Sequence, residues 1–190
     1  MKFDIILAGV GGQGVLSLSG VIAAAALQEG LAVKQSEVHG MSQRGGAVLA
    51  NLRMGSAPIA SDLVPVGCAS LILSMEPLES LRYLRYLSPS GAVITSTEPV
   101  RNIPDYPDLA ELLGAVRSLP HAVLIDSERL ARAAGSARAA NMALVGAASA
   151  MLPLKVDTLE RCIAGRFGAK GQAVVDLNLK AFRAGREAAA

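Results

Sequence analysis

Six residues near the start of the chain restrict its fold more than any others. Gly9-Val10-Gly11-Gly12-Gln13-Gly14 lies between the apolar run Phe3–Ala8 and an Ala- and Leu-rich stretch from about Gly14 to Glu29. A strand that turns into a helix through a loop this dense in glycine is the opening of a βαβ unit. Glycines there permit a tight turn and bring helix close to strand, and the helix N-terminus offers N–H groups to an anion. The rest of the chain continues the alternation. Short apolar runs at Ala32–Gln35, Ala47–Arg53, Ser70–Met75, Ala92–Ser96 and Ala122–Ile125 read as strands, and helical patterns begin at Pro77 and span about Arg138–Met151, Thr158–Arg166 and Lys170–Glu187. This pattern predicts an α/β fold: a Rossmann-like, open, mostly parallel sheet with helices on both faces, in one domain covering residues 1–190. Pro99–Pro107 reads as a loop, and Glu187–Ala190 as a frayed end.

Composition removes several function classes. The chain carries 18 basic and 16 acidic side chains among 190 residues, a net charge of +2, with only three Tyr, three Phe and no Trp. A nucleic-acid surface needs a basic stripe interleaved with stacking aromatics, so none is expected. The two cysteines, Cys68 and Cys162, stand outside any CxxC pattern and supply neither a zinc site nor an iron–sulfur cluster on their own. Apolar residues make up 52% of the chain, yet the longest apolar helix pattern, Met142–Leu154, has about half the ~20 residues that a membrane span requires. Asp4 and the glycine cluster make the first residues a strand rather than a secretory signal, so the expectation is a cytoplasmic protein without a membrane partner.

The glycine loop alone does not specify its ligand. A dinucleotide site wants an acid at the end of the second strand, and that run ends in Lys34 and Gln35. No Lys-Ser or Lys-Thr follows Gly14, which excludes a phosphate loop of the Walker type. A more informative segment follows: Ser36-Glu37-Val38-His39-Gly40-Met41-Ser42-Gln43-Arg44-Gly45-Gly46. It reads as a binding loop on the same sheet edge as Gly9–Gly14, where Arg44 would clamp a phosphate or carboxylate and Glu37 and His39 would exchange protons. Glu76, directly after a strand and before Pro77, either faces the ligand crevice or caps the next helix. Asn141 is open in the same way between a cap and a contact, His121 reads as an exposed residue, and the basic residues of the final third read as a solvated helix face.

With Gly-Val-Gly-Gly-Gln-Gly at 9–14 and the eleven residues at 36–46, the chain resembles the gamma-subunit family of 2-oxoacid:ferredoxin oxidoreductases, in the wording of its indolepyruvate branch, where the unit is a beta subunit. The likeness continues through Met75–Tyr83, Arg138–Ala147, Asn178 and Phe182. It implies a subunit of an enzyme that oxidatively decarboxylates a 2-oxo acid to an acyl-CoA and passes the electrons to ferredoxin. Thiamine diphosphate and iron–sulfur clusters are then expected in a larger alpha subunit, with none bound by this chain alone and coenzyme A as co-substrate. The candidate ligand or interface positions are Gly9, Gly11, Gly12, Gln13, Gly14, Glu37, His39, Met41, Gln43, Arg44, Gly45, Gly46 and Glu76. No catalytic residue and no metal ligand is expected on this chain. A pyruvate, branched-chain or 2-oxoglutarate enzyme, or a free-standing Rossmann-like nucleotide-binding protein, are the alternatives. The isolated subunit is expected to dimerise through apolar surface meant for its partner.

Overall fold

A computed structural model describes residues 1–40 and 45–190. Six strands form one sheet in the order β2-β3-β1-β4-β5-β6: β1 Lys2–Val10, β2 Ala32–His39, β3 Ala47–Gly55, β4 Ala69–Ser74, β5 Leu87–Ser96 and β6 Ala122–Ile125. Strands β1, β4, β5 and β6 run parallel, whereas β3 lies antiparallel between β1 and β2. The sheet is therefore mixed, with β3 the one reversed strand. Among the described residues seven helices accompany it: α1 Val15–Gln28, α2 Pro77–Arg82, α3 Leu109–Arg117, α4 Ser127–Ala134, α5 Ala140–Ala148, α6 Val156–Phe167 and α7 Gln172–Ala188. No helix among the described residues is long and apolar enough to cross a membrane.

The two-residue period of the strands divides the core between two faces. Ile5 and Leu7 of β1, Leu71 and Leu73 of β4 and Ile94 of β5 point to a large core shared with α1, α4, α5, α6 and α7. Their neighbours Ile6, Ile72 and Val93 point to a smaller core against Val116 of α3 and Leu81 of α2. Helices thus cover both faces, as the alternation of runs predicts. In the larger layer α5 and α7 meet backbone to backbone. A Cβ on Gly146 would lie 1.9 Å from the Phe182 carbonyl oxygen, and one on Gly185 would lie 1.9 Å from that of Ala143.

Three sequence expectations are corrected. The second strand extends four residues past Gln35, because Ser36, Glu37, Val38 and His39 pair with Asn51, Ala50, Leu49 and Val48 of β3. Glu37 and His39 are strand residues. Helices α3 and α4 carry no counterpart in the sequence reading, although each has a legible start: Asp108 accepts from the Ala110 and Glu111 amides, and Asp126 from that of Arg129. The C-terminal helix begins at Gln172, after a 3₁₀ turn at Gly168–Lys170. Pro99–Pro107 contains no helix or strand, as expected.

At the opposite edge of the sheet from the glycine loop, Asp4 and Arg53 form a buried pair. The Arg53 Nε–H and Nη2–H groups donate to the Asp4 carboxylate at 2.9 and 3.2 Å, and Nη1–H groups donate to the carbonyls of Ser61 and Leu63 at 3.0 and 2.9 Å. This ties β1 and β3 to the segment that leads towards β4.

Candidate functional site

The chain reverses its order of strands beside β1: β2 and β3 lie on one side, and β4, β5 and β6 follow on the other. A crevice opens outside the carboxyl ends of strands at such a switch point. Gly9–Gly14 occupies this position, between the end of β1 and the start of α1. Gly14 is the N-cap of α1 with φ of 88°, a left-handed value that L side chains rarely adopt, and it makes no side-chain cap. Gln13 fixes the loop. Its Oε1 accepts from the Val10 amide at 2.8 Å and its Nε2–H donates to the Met75 carbonyl at 3.2 Å, lacing β1 to the end of β4. A Cβ on Gly9 would fall 3.0 Å or less from Val15, Gln13 and Met75, which accounts for the glycine by packing.

The two glycine-rich segments converge as the sequence predicts. The Gly11 amide donates to the Gly46 carbonyl at 2.8 Å, and the Gly45 amide donates to the Gly11 carbonyl at 3.2 Å. From the segment after β5, the Asn102 side-chain amide donates to the Gly45 carbonyl at 2.7 Å. Met41, Gln43 and Arg44, singled out in the sequence, lie outside the described residues, as does Ser42. Gly12 is exposed on the lip of the loop.

Glu76 is buried at 1% exposure and caps α2, accepting from the Glu79 amide at 2.9 Å. Its other oxygen accepts from the Val100 amide at 3.3 Å and from the Tyr106 hydroxyl. Of its two readings, the cap is realised, and the carboxylate also anchors the segment 97–108. Burial and the neighbouring Glu76 oxygen push the Tyr106 phenol upwards. Asn141 is not the cap of α5, which is Ala139 without a side-chain cap bond; its Nδ2–H reaches the Gly14 carbonyl at 3.4 Å, and its Oδ1 accepts from the Met142 amide at 2.9 Å. It is the strut between α5 and the glycine loop.

A cavity of about 740 Å³ opens under this loop, within the usual size of small-molecule sites. Gly12, Gln13 and Gly14 form one wall, Met75, Ser96 and Glu98 the strand ends, and Asn141 and Asn178 the helix side. Arg138 and Lys170 stand on its exposed rim. The base carries a polar cluster absent from the sequence reading. The Ser96 hydroxyl, itself buried, donates to Glu98 Oε2 and lies 2.7 Å from the buried Ser127 hydroxyl. Burial first, and then the hydrogen bond that its protonated form donates to the Asp126 carboxylate, push the Glu98 carboxyl up to about 7, while accepting the same bond lowers Asp126. Glu98 Oε1 is buried without a hydrogen-bond partner among the described residues. The available signal was positional: Ser96 and Glu98 stand at the end of β5 as Ser74 and Glu76 stand at the end of β4.

The donor set does not suit a metal or cluster. Among the described residues no three His, Cys, Asp or Glu side chains gather, and Cys68 is exposed before β4 while Cys162 is buried in α6. The cavity suits a different occupant. An uncapped helix N-terminus and two rim cations favour an anion, and the apolar lining from Phe167, Val174 and Leu177 favours an organic body attached to it.

Known proteins agree with this architecture. The family model described as Pyruvate ferredoxin/flavodoxin oxidoreductase matches residues 4–188. Indolepyruvate oxidoreductase subunit IorB of Archaeoglobus fulgidus is 36% identical over 194 residues, covering 97% of this chain and 94% of its own length. The gamma subunit of the keto/oxoacid ferredoxin oxidoreductase from Geobacter sulfurreducens superposes with a TM-score of 0.69 at 26% identity, covering 98% of each chain. The 2-oxoglutarate:ferredoxin oxidoreductase of Magnetococcus marinus, solved with 2-oxoglutarate, coenzyme A and succinyl-CoA bound, superposes with a TM-score of 0.77 at 23% identity. It covers 99% of this chain and 31% of that one, a likeness of fold.

Proposed function

The chain belongs to the pyruvate ferredoxin/flavodoxin oxidoreductase family, and from that premise we propose that it is the small, beta-type subunit of an indolepyruvate:ferredoxin oxidoreductase. In this reading it supports the CoA-dependent oxidative decarboxylation of an aryl 2-oxo acid to an acyl-CoA, with the electrons passed to ferredoxin. Full-length similarity to the Archaeoglobus subunit is the observation that carries it. Thiamine diphosphate and iron–sulfur clusters reside in a larger partner subunit, where they supply the carbanion and electron-transfer chemistry.

This chain's own contribution is positioning and charge. Its cavity holds coenzyme A as the anionic co-substrate, with the first turn of α1 and the rim cations Arg138 and Lys170 facing the phosphates. Gln13 and Asn141 keep the loop in place through its backbone, so the amides are aimed before the ligand arrives. The Gly45–Gly46 segment, bonded to Gly11, joins this wall to the motif at 36–46, which faces the partner.

The test is steady-state kinetics of the complex reconstituted with its larger subunit. Arg138→Ala combined with Lys170→Ala is expected to raise KM for CoA roughly threefold to thirtyfold, as two partly solvated ion contacts would, while KM for the oxo acid stays unchanged. An unchanged KM for CoA would reject the assignment of this cavity.

A further inference from the structure

The helix side of the cavity holds two buried carboxamides, Asn141 of α5 and Asn178 of α7, 7% and 4% exposed. Asn141 is committed to the protein, its Oδ1 to the Met142 amide and its Nδ2–H to the Gly14 carbonyl. Asn178 is committed on one side alone. Its Nδ2–H donates to the Val174 carbonyl at 2.8 Å, and its Oδ1 accepts no hydrogen bond among the described residues. We infer that Asn178 reads the adenine ring of the co-substrate: its Oδ1 accepts from the exocyclic amino group, and its second Nδ2–H donates to the adjacent ring nitrogen. The inference deepens the assignment of the cavity to coenzyme A and rests on it.

A buried acceptor without a donor is costly, and a ligand that brings the donor relieves the cost. Glu98 Oε1 also lacks a partner among the described residues, but that atom is sealed from solvent. Asn178 Oδ1 is not sealed, and the space that Asn178 borders is the cavity. The direction of this acceptor is set by the helix. With the Nδ2 side of the carboxamide held by the Val174 carbonyl one turn back, Oδ1 points away from that carbonyl. The side chain therefore presents one acceptor and one remaining donor in a single orientation.

Among the donors that coenzyme A carries, the adenine amino group fits these surroundings. In the proposed complex thiamine diphosphate lies on the larger subunit, so the thiol end has to leave this chain and the nucleotide end stays. Phe167, Val174 and Leu177 border the same space and offer apolar surface to a planar base. The Lys170 ammonium lies 5.6 Å from the centroid of the Phe167 ring, which sets a cation for phosphate within one nucleotide's reach of that wall. Acceptor and donor side by side are the complement of the adenine edge, where an amino group stands next to a ring nitrogen. Hypoxanthine and guanine carry an oxygen in place of that amino group, and it would meet Oδ1 acceptor to acceptor. Turning the carboxamide over to receive them would set Oδ1 against the Val174 carbonyl instead.

The experiment uses ADP and inosine diphosphate, which differ in the base and share every phosphate, as inhibitors competing with CoA in the complex reconstituted with its larger subunit. The wild type is expected to bind ADP roughly fivefold to hundredfold more tightly than inosine diphosphate, and Asn178→Ala to bring that ratio close to one. The Val174 carbonyl keeps its helical N–H partner in the variant, so the substitution strands no group. Asn178→Leu, of similar volume and without a polar atom, should do the same. A lesion that only disturbed the fold would weaken both inhibitors alike and leave the ratio standing. A wild-type ratio near one, a ratio that persists in both variants, or failure of ADP to compete with CoA overturns the inference. If Arg138→Ala with Lys170→Ala still raises KM for CoA, the adenine reading falls alone; if it does not, the assignment of the cavity falls with it.

Discussion

Two acidic clusters, at opposite edges of the same sheet, show how differently a fold can treat a buried carboxylate. At the start of β1, Asp4 faces Arg53, and four of the five N–H groups of that guanidinium are used: Nε and one on Nη2 on the carboxylate, and both on Nη1 on two carbonyls. At the end of β5, Glu98 has hydroxyls, a neighbouring acid and one oxygen with no partner among the described residues. The first arrangement is saturated and closed, with both side chains at most 7% exposed. The second is unsaturated and borders a cavity. Saturation at one edge fixes the sheet, and its lack at the other leaves a group whose charge still responds to pH.

The largest test of this contrast is Arg53→Met. It strands the buried Asp4 carboxylate without its guanidinium partner, and should lower unfolding stability by about 3 to 5 kcal/mol in a denaturant titration at pH 7. A loss below about 1 kcal/mol would mean that Asp4 finds solvent when its partner leaves, and the edge would not be closed.

Glu98→Gln should have the opposite sign. Burial raises the folded-state pKa of Glu98 above its ordinary 4.5 to about 7, so its proton favours the folded state. That contribution is complete below pH 4.5 and is lost as the pH rises through 7. The wild type should therefore fall behind the glutamine variant across this window, by about 1 to 2 kcal/mol at pH 8 once solvent screening is allowed for. Asp126, whose pKa is lowered, gives stability that disappears only at more acidic pH, below its ordinary 3.8. Parallel stability curves for the two proteins from pH 4.5 to 8 would erase the distinction between the clusters.

The smallest effect belongs to Lys2. Its ammonium lies 3.3 Å from Asp4, but its side chain is 58% exposed. Lys2→Ala should cost under about 0.5 kcal/mol, less still in high salt. A larger loss, seen by thermal denaturation, would show that Asp4 depends on more than Arg53.

What could be read from the sequence follows the range of the interaction that produces it. The switch from strand to helix at Gly9–Gly14 is local, and its elements appear within a residue or two of where periodicity puts them. The extent of β2 is a pairing property. Ser36–His39 carry polar groups that read as a loop, and only β3 alongside makes them a strand. Helix α4 is short and rich in Arg and Ala, and its buried side is little more than Ser127 and Ala131, too few apolar positions to show a period. Gln13 and Asn141 act through contacts across 62 and 127 residues of chain. The Glu98–Asp126 contact joins the ends of two strands that become neighbours only in the folded sheet. Its residues were visible one by one, and their meeting was not.

The contact between α5 and α7 has a consequence for the ligand. With a carbonyl oxygen where any Cβ of Gly146 or Gly185 would need to be, the two helices have no side-chain layer through which to slide or rock. Asn141 projects from one of them and Asn178 from the other, both onto the cavity wall. If coenzyme A occupies the cavity as proposed, it meets a wall whose backbone is fixed beforehand, so little of the binding free energy is consumed in ordering it. Selectivity on that side is then a matter of fit to a fixed surface, and adaptation is left to the glycine loop and the rim opposite.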